Sequence, residues 1–94
     1  MSLAEEFYRV THSFPSRENY GLTSQIRRVA VSIPSNIAEG FARGHLKEYV
    51  QHLAMAGGSL AEVRTELELA VRFGYISQDA AFPTQRHAIE SGSN

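Results

Sequence analysis

Three side chains on one stretch of the chain could together hold a metal ion. His45, Glu48 and His52 are spaced i, i+3, i+7, so on a helix all three lie on one side. A di-iron bundle needs Glu-x-x-His units repeated on facing helices and two further glutamates, and this chain offers one incomplete set. We expect a solvated polar face here, with no metal and no cofactor. A small metal-binding or enzymatic helical bundle that uses this face is the alternative function.

A nucleophilic serine is the second chemistry to consider. Residues 57–61, GGSLA, are similar to the G-x-S-x-G motif, which requires a sharp strand-to-helix turn. Ser59 lies instead in the middle of a predicted helix. Glu62, Glu66 and Glu68 are spaced as on solvated helix faces. The sequence therefore identifies no catalytic residue, and we do not expect an enzyme.

Charge is distributed unevenly along the chain. Residues 17–47 carry five basic side chains against two acidic ones, a net charge of +3, and residues 48–94 carry three against six, a net charge of −3. The basic flank could contact the phosphates of a nucleic acid. It could instead meet the acidic flank of a neighbouring subunit in a head-to-tail ring, or the asymmetry could be accidental on a solvated surface. The candidate phosphate contacts are Arg27, Arg28, Arg43 and Lys47.

Four predicted helices position these residues. Residues 2–5 fit a capping box at the start of the first helix, and Pro15 ends its apolar stripe. Residues 22–42 keep one 3.6-residue apolar phase through Pro34, and two separate helices would have no reason to stay in register. We therefore predict one second helix, kinked at Pro34.

The third predicted helix, over residues 45–73, is the longest. Its apolar residues alternate by four and three over about three heptads, and Gly74 ends it. A fourth helix, capped by Ser77, is expected to be short or irregular because Pro83 interrupts a segment with few apolar residues.

Gly40 and Gly44 offer left-handed positions at which the second helix can end.

The apolar phases of the second and third helices predict the core. The predicted core consists of the large aliphatic side chains Ile26, Ile33, Ile37, Leu53, Leu60 and Leu67.

The third predicted helix also has a second face of mostly small residues. These are Ala54, Gly58, Ala61, Thr65 and Leu69. A glycine inside a helix costs about 1 kcal/mol relative to alanine, and close packing against another backbone would compensate for it. Either both faces lie inside one bundle, or part of this face packs against another subunit. The candidate subunit contacts are Val31, Ser35, Met55, Gly58 and Leu69.

Length and composition indicate one small globular domain. The chain has 94 residues, 43% of them hydrophobic and 20% charged, with a net charge of −1 and no cysteine. We expect residues 1–90 to form a single helical domain and residues 91–94 a flexible tail. Neither a secretion signal nor a run of about 20 apolar residues is present, so a cytoplasmic location away from the membrane is expected.

Two long stretches are similar to a known family. Residues 20–44, YGLTSQIRRVAVSIPSNIAEGFARG, and residues 47–77, KEYVQHLAMAGGSLAEVRTELELAVRFGYIS, resemble the bacterial four-helix-bundle family named after proteins encoded in intervening sequences of 23S ribosomal RNA. The resemblance implies an up-and-down antiparallel four-helix bundle that assembles as a ring of five protomers. A related branch, the accessory protein of diversity-generating retroelements, binds nucleic acid and partners a reverse transcriptase.

The resemblance also implies what is shortened in this chain. Relatives begin with a longer first helix and finish with a long, charged fourth helix, whereas here both are expected to be short. The sequence thus predicts an all-α, up-and-down antiparallel four-helix bundle with a Pro-kinked second helix. Its expected function is that of a non-enzymatic homo-oligomeric scaffold or adaptor, a pentamer by resemblance. The expected partner is RNA, DNA or a protein that acts on them.

Overall fold

A computed structural model of the chain describes residues 2–92. Within that range it contains four α-helices, one short 3-10 helix and no strand, which confirms the predicted all-α four-helix bundle. The helices are α1 (Leu3–Thr11), α2 (Leu22–Ala42), α3 (Leu46–Arg72) and α4 (Gln78–Gly92), with the 3-10 helix at Ser16–Glu18.

Local signals define most helix ends as predicted. The Ser2 hydroxyl accepts a hydrogen bond from the Glu5 backbone N–H at 3.2 Å, and the Glu5 carboxylate accepts one from the Ser2 N–H at 3.0 Å. Gly44 and Gly74 adopt φ values of +74° and +79°, which glycine accommodates without strain, directly after α2 and α3. The Ser77 hydroxyl accepts from the third N–H of α4 at 3.1 Å.

The second helix runs unbroken through Pro34, so the prediction of one helix rather than two is confirmed. The kink itself stays a prediction. Gly40 does not end the helix, contrary to expectation: it is helical and buried, and Gly44 alone adopts the left-handed conformation there. The physical reason is that Gly40 lies against α3, where its lack of a side chain permits close packing.

The fourth helix is more regular than predicted. It spans 15 residues and continues through Pro83, which has no N–H to donate to the Asp79 carbonyl. Its buried face, with Ala81, Thr84 and Ala88 at i, i+3 and i+7, packs against the bundle and holds the helix together across the proline. The tail predicted at residues 91–94 begins inside this helix, and residues 93–94 lie outside the described range.

Each helix packs against its neighbour in sequence, and α1 also packs against α4, as an up-and-down bundle requires. The molecule measures 44 × 25 × 21 Å. Its main core lies between α1, α2 and α3, together with Phe14 from the segment that follows α1. The members of this core are Phe7, Val10, Phe14, Ile26, Val29, Ala30, Val63, Leu67 and Ala70.

The predicted core is correct in part. Ile26, Leu60 and Leu67 are buried and Ile33 is half-buried, but Ile37 and Leu53 are 41% and 40% exposed. The reason is a difference in helix length. At 1.5 Å per residue, α1 extends about 13 Å whereas α3 extends about 40 Å, so the hairpin of α2 and α3 projects beyond the other two helices.

Candidate functional site

An apolar groove opens between α1, α2 and α3, at the base of the projecting hairpin. Its volume is about 640 Å³, and no charged residue is among the described residues that line it. Ser2 and Ser91, close to the start of α1 and the end of α4, mark its rim. The apolar lining comprises Leu3, Ala4, Phe7, Val29, Ala30, Ile33, Pro34, Ile37, Val50, Leu53, Ala54, Ala56, Gly57 and Leu60. We call this the open groove.

The groove was only partly foreseeable from the sequence. The apolar phase places Ile37 and Leu53 on the inner face of their helices, as predicted, but the bundle does not cover them. The expected shortness of the first and fourth helices indicated this exposure, because short helices leave part of the apolar stripe of α3 without a neighbour. A charge-free concave surface favours an apolar partner over a polar ligand or a nucleic acid.

The small-residue face of α3 is exposed along its whole length. Ala54, Gly58, Ala61, Thr65 and Leu69 are all solvent-accessible in the subunit, so the interpretation that both faces of α3 lie inside one bundle is wrong. The side of α3 that carries Val63, Leu67 and Ala70 is the one buried in the main core, whereas Ala61 and Thr65 line an open depression between α3 and α4. A Cβ added at Gly57 or Gly58 would meet no atom within 4 Å.

The five candidate subunit contacts are all on the surface. Val31 and Met55 are 59% and 55% exposed, Leu69 is 38% exposed, and Ser35 and Gly58 are also exposed. All five side chains or backbone positions are therefore available to another molecule.

The candidate phosphate contacts are largely engaged within the subunit. Arg27 donates from Nε to the Thr11 hydroxyl at 2.9 Å and places its guanidinium 4.8 Å from the centre of the Tyr8 ring. Arg28 forms an ion pair with Glu62 across α2 and α3 at 3.1 Å.

The other two candidates lie near the tip of the hairpin. Arg43 pairs with Glu39 at 3.0 Å, whereas Lys47 is exposed and forms no hydrogen bond or ion pair with any described residue. Arg28 lies on α2 and Arg43 directly follows this helix, fifteen positions and roughly 22 Å further along. The four basic residues therefore form two separate pairs and no single patch.

A buried carboxyl on α3 escaped sequence reasoning. Glu66, predicted to be solvated, is only 8% exposed, and its Oε1 has no hydrogen-bond partner among the described residues. Burial raises the pKa of Glu66 to about 7; the negative charge of Glu62 adds to this, and Arg28 acts in the opposite direction. Its position in the sequence could have indicated this burial, because Glu66 lies three residues after Val63 and four before Ala70, at the edge of the apolar stripe of α3.

A polar contact between the first and last helices also escaped sequence reasoning. Glu6 is buried on α1, and its carboxylate Oε2 pairs with Nδ1 of His87 on α4. The pair joins the first and last helices where they pack together. Only the tertiary fold brings these residues into contact, since 81 positions separate them in the sequence.

The candidate metal ligands do not form a site. Within residues 2–92, no three His, Cys, Asp or Glu side chains come close enough together to hold a metal ion, and this includes His45, Glu48 and His52. His52 instead packs against α2, with Nδ1 3.3 Å from Oδ1 of Asn36. Ser59 lies inside α3, so the turn that a nucleophilic serine requires is missing at this position.

The fold and these surfaces can be compared with known proteins. A sequence model of the 23S rRNA-intervening sequence protein family matches residues 1–93. The chain belongs to this family. No curated protein matches the chain.

Membership of the 23S rRNA-intervening sequence protein family confirms the resemblance seen in the sequence. The family's name refers to a genomic location and states no activity. None of the helices within residues 2–92 is long and apolar enough to cross a membrane. What the chain binds must therefore be argued from its own surfaces.

Proposed function

We propose that the protein is a non-enzymatic, homo-oligomeric scaffold or adaptor that acts with nucleic acid or with a protein that works on nucleic acid. The observation that carries this proposal is the open groove. A charge-free apolar groove of about 640 Å³, lined in part by the half-exposed Val50 and Leu53, is a surface suited to another protein chain.

A second surface supports the assembly of subunits. The exposed face of α3 combines small residues with the apolar side chains of Met55 and Leu69, and Gly58 has open space where a side chain would be. Close approach by another helix would compensate for the glycine, which costs a helix about 1 kcal/mol. The proposed number of five subunits rests on the resemblance to ring-forming relatives.

The experiment for assembly is a measurement of solution mass by light scattering at micromolar concentration. We expect a multiple of the 10.4 kDa chain mass for the wild type. Met55→Glu should reduce that mass because it places a charge in the proposed contact. Tyr20→Glu is the control, since Tyr20 is fully exposed in the turn before α2 and the same charge there should leave the mass unchanged. A monomeric wild type would contradict the scaffold proposal.

The nucleic-acid part of the proposal needs its own test. Binding of a labelled single-stranded RNA, followed by fluorescence anisotropy at several salt concentrations, should weaken in Arg28→Gln/Lys47→Gln. Its salt dependence should flatten by about 0.7 in log–log slope for each lost phosphate contact. Glu62→Gln is the matched control: it breaks the same ion pair but frees Arg28, so binding should hold or strengthen. Equal binding by all variants, or none by the wild type at low salt, would contradict phosphate contact.

A further inference from the structure

A polar depression lies on the outer side of α2, beside α1 and the turn that precedes α2. Its volume is about 580 Å³, and no acidic residue is among the described residues that line it. Two positive charges therefore occur here together with neutral hydrogen-bonding groups. We call this surface the polar depression, and its hydrogen-bonding residues are Tyr8, Asn19, Thr23, Ser24, Arg27 and Arg28.

Arg27 is held in place at the wall of the polar depression. Its Nε donates to the Thr11 hydroxyl at 2.9 Å, and its guanidinium lies 4.8 Å from the centre of the Tyr8 ring. Neither Nη of Arg27 forms a hydrogen bond with any described residue. A guanidinium that is already fixed through Nε loses little conformational freedom when its remaining N–H groups bind an anion.

Arg28 also keeps donors available for a ligand. Its Nη2 donates to Gln25 Oε1 at 3.0 Å and to Glu62 Oε1 at 3.1 Å, whereas its Nε and Nη1 bond to no described residue. The ion pair with Glu62 is exposed to solvent on both sides, with side-chain exposures of 55% and 46%. Because exposed ion pairs contribute little, an anion in the depression can compete with Glu62 for this guanidinium.

A buried hydroxyl at the same wall has no partner. Thr23 lines the polar depression although it is only 5% exposed, and its Oγ1 makes no hydrogen bond with any described residue. A buried polar atom without a partner destabilises a fold, and native structures contain few of them. Thr23 precedes Arg27 by one helical turn, so both lie on one face of α2. An acceptor oxygen bound beside Arg27 would supply the missing partner.

We propose that the polar depression binds the phosphate group of a nucleotide, with Arg27 and Arg28 as its cationic contacts and the Thr23 hydroxyl as a further donor. The inference rests on the proposed nucleic-acid function and assigns phosphate contact to one of the two basic pairs. Two guanidinium groups balance the charge of a phosphate. Their free N–H groups, with the hydroxyl, also match the several oxygens of a phosphate better than the two oxygens of a carboxylate.

The size of the polar depression favours a nucleotide over a bare inorganic anion. A volume of about 580 Å³ lies within the usual range of small-molecule sites and leaves room beside the phosphate for a nucleoside. Asn19 and Ser24 offer neutral hydrogen-bonding groups to the sugar and the base, and the half-exposed Tyr8 offers ring surface. The ligand is thus a nucleoside phosphate ester, either a free nucleotide or one unit of a strand.

Titration with 5′-AMP tests the site, with calorimetry for affinity and NMR for the Nε–Hε signals of Arg27 and Arg28. Both signals should shift, and acetate should bind more weakly than 5′-AMP. Thr23→Val should weaken 5′-AMP binding about tenfold, because a hydrogen bond to a charged group is lost. It should not lower the stability of the free protein, since this hydroxyl has no partner there. Thr23→Ser keeps the hydroxyl and should keep most of the affinity.

A charge placed in the polar depression provides a second test. Ser24→Glu should abolish 5′-AMP binding, because it brings a carboxylate next to the phosphate. Gln51→Glu is the matched control: it changes the net charge equally at an exposed position of α3 outside the depression, so affinity should stay unchanged. Arginine signals that do not respond to 5′-AMP would overturn the proposal, as would equal affinity in Thr23→Val and the wild type. O-phosphoserine binding as tightly as 5′-AMP would overturn the nucleotide as ligand.

A hydroxyl-ended single-stranded RNA distinguishes the two sources of phosphate and separates this inference from the proposed function. Displacement of 5′-AMP by this RNA identifies a phosphate within a strand as the ligand. If 5′-AMP binds and the RNA does not bind at all, the site stands for a free nucleotide and the nucleic-acid function fails. RNA binding that is lost in Arg43→Gln/Lys47→Gln and unaffected by Ser24→Glu would keep the nucleic-acid function and overturn the site.

Discussion

A side chain at Gly40 would collide with His52. A Cβ built on Gly40 lies 2.7 Å from the Cβ of His52 and 3.4 Å from the Cα of Tyr49, so α2 and α3 are in close contact at this position. Gly40 is helical, and its role is therefore to allow this approach and not to supply an unusual backbone conformation. The absence of a side chain at Gly40 thus lets the two helices of the projecting hairpin pack together.

Gly40→Ala should destabilise the protein by about 1–3 kcal/mol, because the added methyl group forces the two backbones apart. Urea denaturation at a concentration that keeps the chain monomeric measures the free energy of unfolding. Gly57→Ala is the control: its Cβ meets nothing, so the better helix propensity of alanine should stabilise the monomer by up to about 1 kcal/mol. Equal effects of the two substitutions would show that the α2–α3 spacing adjusts freely.

Two leucines of α3 should respond differently to truncation. Leu67 is fully buried in the main core, and Leu67→Ala should cost about 2–5 kcal/mol, because it removes buried surface and leaves a cavity. Leu53→Ala should cost the monomer less than about 1 kcal/mol, since the side chain is 40% exposed in the open groove. Similar losses for both variants in the monomer would contradict the observed difference in burial.

Glu66 should make stability fall as the pH rises towards neutrality. Its pKa in the folded protein is raised from the ordinary value of 4.5 to about 7, so the folded state binds a proton more tightly than the unfolded state between these values. The loss of folding stability caused by ionising buried Glu66 is absent below pH 4.5. It increases up to about pH 7 and is then constant, at up to about 3 kcal/mol. Glu66→Gln should therefore be more stable than the wild type at pH 8 and similar at pH 4.

Denaturant titrations at several pH values measure this difference. Glu68→Gln is the matched control, because Glu68 is two positions away and pairs with Arg72 at the surface. Its stability should follow the wild-type pH profile. A constant offset between Glu66→Gln and the wild type from pH 4 to pH 8 would show that the carboxyl stays ionised when folded.

Local signals in the sequence predict the helices well. The Ser2–Glu5 capping box, the left-handed glycines after α2 and α3, and Ser77 before α4 each act within a few residues, so they can be identified without the fold. The apolar phase also predicts a single α2 through Pro34. These elements depend on short-range hydrogen bonds and helix periodicity, which the sequence displays directly.

The surfaces were harder to predict, because they depend on contacts between distant elements. Periodicity identifies the inner face of α3, but it does not tell whether a neighbouring helix reaches Leu53. The sequence names Arg27 as a candidate phosphate contact, but it does not reveal that Arg27 donates to Thr11 and lies over the Tyr8 ring across the α1–α2 contact. Likewise, the burial of Glu66 is a property of the packed bundle and not of its sequence neighbours.

A side-chain contact joins the 3-10 helix before α2 to the segment that follows α3. The Glu18 carboxylate accepts hydrogen bonds from the Leu22 N–H at 3.0 Å and from the Tyr75 hydroxyl at 2.7 Å. The Leu22 N–H, then the Tyr75 hydroxyl and the nearby Arg17, lower the pKa of Glu18 below 4.5. Stability from Glu18 is thus present above pH 4.5 and is lost as the pH falls through its folded-state pKa.

Tyr75→Phe removes one of these hydrogen bonds, so the pKa of Glu18 should rise towards its ordinary value, and less stability should be lost below pH 4.5. An NMR titration of the Glu18 side-chain carboxyl carbon measures the shift, with Tyr20→Phe, at a fully exposed position, as the control. Because Glu18 loses stability below pH 4.5 and Glu66 above it, these two carboxyls together should favour a stability maximum near pH 4.5–5. An unchanged Glu18 titration in Tyr75→Phe would show that the Leu22 N–H alone sets its pKa.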